Sequence, residues 1–237
     1  MAVPSVFTIL IMIFYNMADM FFVSQLGESD SAPVVAVAVV GPVFSVITAA
    51  ATMISIGGCA TIAKAAGAGD TDYARTCASL CGWVAILFGS LCSVCILLFT
   101  DPLLQFLGTP PEVMVDARAY MRTLAFGAPL MLLSTGYGTL LRTEGAIMDG
   151  FLGNMVGTVT NIILDPLLIM VLKLGVTGAA AATVIGNLAA TAYFLRFIFR
   201  KASILNLIPA NALRHPQALL GILALGLPNA ISFFLSN

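Results

Sequence analysis

Two acidic side chains stand where an acid is expensive. Asp19 and Asp165 each interrupt an otherwise uncharged run, 1–27 and 150–172, and an ionised carboxylate inside a bilayer costs at least ~2.5–3.5 kcal/mol on insertion scales. Two carboxylates sharing a low-dielectric site can take up a proton between them or hold a small cation. Asn154, Thr158, Asn161 and Asp165 recur at spacings of four, three and four, which places them on one face of a helix. Thr183 and Asn187 follow one turn apart in the next apolar run. These positions could line one polar cavity. The alternative for Thr158, Thr183 and Asn187 is interhelical hydrogen bonding, worth ~0.6 kcal/mol each.

The elements that must position these residues are apolar helices. Of 237 residues, 60% are apolar and 9% charged, with a mean hydropathy of +1.05, whereas a soluble domain carries about a quarter charged residues. Uncharged runs occupy 31–63, 76–100, 123–141, 174–195 and 216–237, each near or above the roughly 20 residues that cross a ~30 Å hydrocarbon core. The fold class is therefore all-α, a polytopic transmembrane helical bundle with the lipid bilayer as its surroundings. Ten Lys/Arg against eleven Asp/Glu leave a net charge of −1, so no basic footprint for nucleic acid exists. The first run lacks the basic residues of a signal peptide and reads as a retained helix.

Splitting the runs at glycine, proline and charge clusters predicts seven helices, at about 2–25, 34–58, 79–99, 120–141, 150–171, 176–198 and 217 to the end. Gly57-Gly58 and Gly67-Ala68-Gly69 read as turn glycines, 100–119 as a long loop, and Gly153 with Gly157 as a small pair suited to close helix packing. With the N-terminus inside, one side holds Lys64, Arg75, Arg142, Arg196, Arg200, Lys201 and Arg214 against Arg118, Arg122 and Lys173 on the other, an excess that favours this orientation. Asp19 and Asp165 then each lie about six residues, or ~9 Å, from the outer helix ends, and Thr183 is level with them at ~10 Å. The start of the seventh helix, Gly226-Leu227-Pro228-Asn229-Ala230, is similar to Ala2-Val3-Pro4-Ser5-Val6 at an offset of 224. That points to a parallel repeat and to a chain that is the first half of a longer protein.

Three stretches resemble the multidrug and toxic compound extrusion (MATE) transporters. They are Tyr15-Asn16-Met17-Ala18-Asp19-Met20-Phe21-Phe22-Val23-Ser24-Gln25-Leu26-Gly27, the loop Lys64-Ala65-Ala66-Gly67-Ala68-Gly69-Asp70, and Asn161-Ile162-Ile163-Leu164-Asp165-Pro166, the most specific of the three. The resemblance covers essentially the whole chain, as six helices of one MATE lobe plus most of a seventh. It implies a coupling site for H+ or Na+ at Asp19, Asn161, Asp165 and Thr183 and a bending hinge at Pro4, while the spacing read above is what places Asn154, Thr158 and Asn187 along the cavity. It implies cation-coupled antiport of drugs or organic cations by alternating access, no cofactor beyond the coupling ion, and a small-molecule, cationic substrate. The expected setting is the cytoplasmic membrane of a prokaryote, and the expected domains are a lobe at 1–200, a cytoplasmic inter-lobe loop at 201–216 and a truncated C-lobe helix at 217–237. Substrate in this family passes between lobes, so the missing C-terminal lobe is a required partner.

Two other readings compete. A lipid or polysaccharide flippase of related fold would share the bundle. Gly67-Ala68-Gly69-Asp70 resembles the Gly-x-Gly-Asp pattern of intramembrane aspartyl proteases, in which two carboxylates activate water, but Asp70 falls in a polar loop and no enzyme is expected. Cys77, Cys81, Cys92 and Cys95 share a helix face yet spread over about five turns, too far for a tetrahedral metal site, so they read as packing residues. The lone His215 reads as a loop residue without a second ligand.

Overall fold

A computed structural model describes residue 17, residues 32–212 and residues 217–235. The expected first helix, with Asp19 and Pro4, lies outside the described residues apart from Met17, as does His215. The described chain runs α1 (Ala32–Gly67), α2 (Thr71–Leu98), a short α3 (Thr100–Phe106), α4 (Met114–Leu140), α5 (Ile147–Pro166), α6 (Gly175–Lys201), a four-residue α7 (Pro209–Ala212) and α8 (Ala218–Leu235). Among the described residues, five helical spans are long and apolar enough to cross a membrane. The bundle is helical throughout, and no strand occurs among the described residues.

Helix α5 displays the reversed amphipathicity that lipid selects. Gly150, Gly153, Gly157, Asn161 and Asp165 are buried, while Leu152, Val156, Val159 and Ile163 are exposed on the opposite side. The same logic puts Leu87, Leu91, Val94 and Leu98 of α2 on an exposed apolar stripe. Polar and small residues turn inward because lipid offers no hydrogen bonds and is as apolar as leucine. Helix α4 is the hub: it packs against α1, α2 and α6, while α5 is held chiefly by α6, and α8 lies along α1.

Several expected boundaries move. Helix α1 continues past residue 58 to Gly67, and α2 begins at Thr71 rather than 79, because Lys64 and Arg75 mark where the chain leaves the apolar layer and not where an Ala-rich helix must stop. Gly57 and Gly58 are consequently not turn residues. A Cβ on Gly57 would collide with the Ile222 carbonyl of α8, and one on Gly58 would sit 2.6 Å from Cys81 Sγ; they are bare surfaces across which α8 and α2 approach. The turn is confined to Ala68–Asp70, where Gly69 adopts φ +79° and Asp70 caps α2 by accepting from the Tyr73 N–H at 3.0 Å. The stretch 100–119, expected as a loop, contains α3, a 3-10 turn at Pro111–Val113 and the first turn of α4. Asp101 and Arg118 tie α3 to α4 with a 2.6 Å ion pair. The expected inter-lobe loop contains α7, which packs on α2.

Candidate functional site

The polar face of α5 meets α6 where both helices are reduced to backbone. A Cβ on Gly157 would lie 2.9 Å from the Gly186 carbonyl oxygen, and one on Gly186 would lie 2.8 Å from that of Gly157. Gly153, one turn away, accepts the Phe194 ring against its bare Cα. The close packing expected of the Gly153 and Gly157 pair is thus realised, with two different partners. Its consequence is to bring the side chain one turn beyond Gly157 within reach of α6: Asn161 Nδ2 donates to Thr183 Oγ1 at 3.3 Å. One further turn along, Asp165 is fully enclosed at 0% exposure, beside Asn161 at 2%.

Asp165 directly precedes the point where α5 changes pitch. Pro166 has no N–H for the preceding turn, and Leu167–Val171 continue as a wide π-turn in which the Leu172 N–H bonds to the Leu167 carbonyl at 2.9 Å. Such turns expose backbone polarity that a regular helix conceals. The sequence expectation of a plain helix to 171 is corrected on this point.

A cavity of about 370 Å³ opens between α4, α5 and α6. Asn154, Thr158 and Asn161 line it from α5, with Thr183 and Asn187 from α6. Asp165 is not part of its lining. Asn187 is oriented at both ends: its Nδ2 donates to the Thr183 carbonyl at 2.8 Å, and its Oδ1 accepts from Ser134 Oγ at 2.6 Å. Asn161 Oδ1 is buried and accepts no hydrogen bond among the described residues. An unmet buried acceptor costs about 1–3 kcal/mol, and Asn161 is itself one of the residues that line the cavity.

The sequence reading missed the third wall. Ser134, Thr135 and Thr139 of α4 line the same cavity. The signal existed, since Thr135 and Thr139 are one turn apart in an uncharged run. Hydroxyls of this kind also satisfy themselves on their own helix, as Thr139 Oγ1 does on the Thr135 carbonyl at 3.2 Å, so spacing alone does not separate the two uses.

The remaining motifs resolve into structure. Cys77 and Cys81 are buried in the core and Cys95 is exposed; all five cysteines are free. Among the described residues no cluster of three His, Cys, Asp or Glu side chains could hold a metal ion. The Gly67-Ala68-Gly69-Asp70 stretch is occupied by turning the chain and capping α2.

The family model described as MatE matches residues 4–167, which includes Asp19, Asn161 and Asp165. The chain belongs to the MatE family. It is 26% identical over 227 residues to the "Multidrug export protein MepA" of Staphylococcus saprophyticus, an alignment that takes in 96% of this chain and 50% of that protein. Among solved structures, a MATE protein crystallised in complex with MaL6 superposes with a TM-score of 0.90 at 28% identity, covering 98% of this chain and 51% of that one. An inward-facing multidrug resistance MATE transporter of the MOP superfamily superposes with a TM-score of 0.85 at 28% identity, covering 93% and 50%. The chain spans about half the length of these relatives, whose names are those of multidrug export and MATE proteins. Its helices are those of a MATE-lobe membrane bundle, as the sequence led one to expect.

Proposed function

We propose that this chain is the N-terminal lobe, at 1–200, of an antiporter that exports drugs or organic cations in exchange for H+ or Na+, with 201–216 as the inter-lobe loop on the cytoplasmic side and 217–237 as the first helix of the second lobe. The coupling site in this reading comprises Asp19, Asn161, Asp165 and Thr183, and Pro4 is the point at which the first helix bends. The observation that carries it is the enclosure of Asp165 at 0% exposure, one turn from the Asn161–Thr183 pair and beside a polar-walled cavity. A carboxylate held there is stabilised by a bound proton or by a cation sharing oxygens with Asn161 and Thr183, so its occupancy biases whichever helix arrangement encloses it. Asn154, Thr158 and Asn187 would supply hydrogen bonds to substrate, and the apolar remainder of the wall would supply contact area.

The test is efflux of a cationic dye from vesicles under an imposed pH or sodium gradient. Asp165→Asn and Asp19→Asn keep shape and hydrogen bonding while removing the ionisable group, so each should abolish gradient-driven efflux at matched expression with the fold retained. Wild-type efflux by both variants refutes the assignment of these residues as the coupling site.

A further inference from the structure

The segment that follows α6 is anchored along its length. Residues 203–208 form neither helix nor strand, so their backbone N–H groups require acceptors from elsewhere. Glu144, in the 3-10 turn Leu141–Glu144 between α4 and α5, supplies them. Its Oε1 accepts from the N–H groups of Ile204 and Leu205, both at 2.6 Å. Its Oε2 accepts from the N–H of Ser203 at 3.2 Å and from the Ser203 hydroxyl at 3.0 Å. Three successive N–H groups converging on one carboxylate form an anion nest built within the chain. Leu205, at 2% exposure, plugs the adjoining core.

Helix α2 holds the other side of the segment. Arg75 Nε donates to the Ser203 carbonyl at 3.0 Å, Ser79 Oγ to that of Ile208 at 2.7 Å and Trp83 Nε1 to that of Leu207 at 3.2 Å. Asn206 Nδ2 returns a bond to the Arg75 carbonyl at 3.0 Å. The Glu144 contacts bridge 59 to 61 residues and the α2 contacts bridge 124 to 131, so none is a local turn bond.

The position of Glu144 gives the anchor its meaning. It lies at the junction of α4 and α5, which carry two of the three walls of the polar cavity, and it grips the segment leading to α8. A displacement of the α4–α5 turn must carry residues 203–205 with it or break charge-assisted hydrogen bonds, the stronger class. We propose that Glu144 is a positioning residue that locks the 203–208 connector to the cavity helices as a strut, and that this lock is required for turnover. The requirement for turnover rests on the transport reading above; the lock itself does not. A glutamine would not serve, because it replaces one acceptor oxygen with an NH2 that faces the Ser203 or the Ile204 and Leu205 donors.

The experiment compares the full-length wild-type protein with Glu144→Gln and Ser203→Ala, by hydrogen–deuterium exchange in lipid nanodiscs and by kinetics of dye efflux from sealed vesicles under an imposed ion gradient. Glu144→Gln should speed amide exchange at Ser203–Leu205 by about tenfold or more, while α2 and α6 peptides keep their protection. Its efflux kcat should fall with KM unchanged, since no cavity residue is altered. Ser203→Ala removes one of four donors and should shift exchange in the same direction by less, which decides the matter if Glu144→Gln does not fold. Unchanged exchange at 203–205 overturns the lock. Faster exchange with wild-type kcat, or a change in KM in place of kcat, overturns its role in turnover. A wild-type protein without gradient-driven efflux refutes the transport reading alone, and the exchange comparison still decides the lock.

Discussion

Gly157→Ala is a one-methyl perturbation whose consequence can be worked from the geometry. The new Cβ would stand 2.9 Å from the Gly186 carbonyl oxygen and 3.0 Å from the Ala190 Cβ, against a carbon–carbon optimum of roughly 3.5–4.0 Å. Neither obstacle is the flexible end of a side chain, so α5 and α6 must separate by about 0.5–1 Å at this crossing. Overpacking of this kind costs about 1–3 kcal/mol. The Asn161–Thr183 bond, already long at 3.3 Å, lies one turn from the crossing, and a further separation of about 0.5–1 Å would carry it beyond ~3.6 Å, where no hydrogen bond remains. Gly157→Ala should therefore lower the melting temperature and reduce gradient-driven efflux together. Gly41→Ala is the control, because among the described residues no atom lies within 4 Å of a Cβ there and alanine is the better helix former by about 1 kcal/mol. Both variants are measured by thermal unfolding in detergent and by dye efflux at matched expression. A Gly157→Ala protein as stable and active as Gly41→Ala would show that the crossing does not set the Asn161–Thr183 geometry.

Two further outcomes follow from single side chains. Asp70→Ala removes the acceptor that caps α2 at the Tyr73 N–H and should cost about 1 kcal/mol, seen as a lower melting temperature with efflux coupling unchanged; any peptidase activity lost with it would contradict the capping role. Asn187→Ala removes the partner of both Ser134 Oγ and the Thr183 carbonyl at a cost of about 1–2 kcal/mol, and should change which dyes are exported without changing the dependence on the ion gradient, measured as a panel of efflux rates.

Much of this protein is legible in its sequence because the membrane simplifies the code. Charge is so costly in lipid that long uncharged runs alone locate the spans and make Asp165 conspicuous. Helical periodicity is local, so spacings of four, three and four suffice to place Asn154, Thr158, Asn161 and Asp165 on one face, and that face is the buried one at Asn161 and Asp165. That Gly153 and Gly157 offer a surface for close helix packing is likewise legible as small residues on the same stripe, whereas the helix that meets them, α6, is not. Helix ends were not, because the charges of Lys64 and Arg75 report where the chain meets water while an Ala-rich helix continues through it.

What only the tertiary structure decided are the relations between distant residues. Gly57 and Gly58 carry the same composition as a turn and are instead the surfaces on which α8 and α2 rest. Ser134, Thr135 and Thr139 become cavity wall because α4 is the hub of the bundle, a fact about helix arrangement that periodicity within α4 does not contain. Glu144 is one acid among eleven in the sequence, and its grip on Ser203, Ile204 and Leu205 arises only when residues about sixty positions apart are folded together. The sequence dictates which groups cannot face lipid; the packing of the helices chooses the partners that receive them.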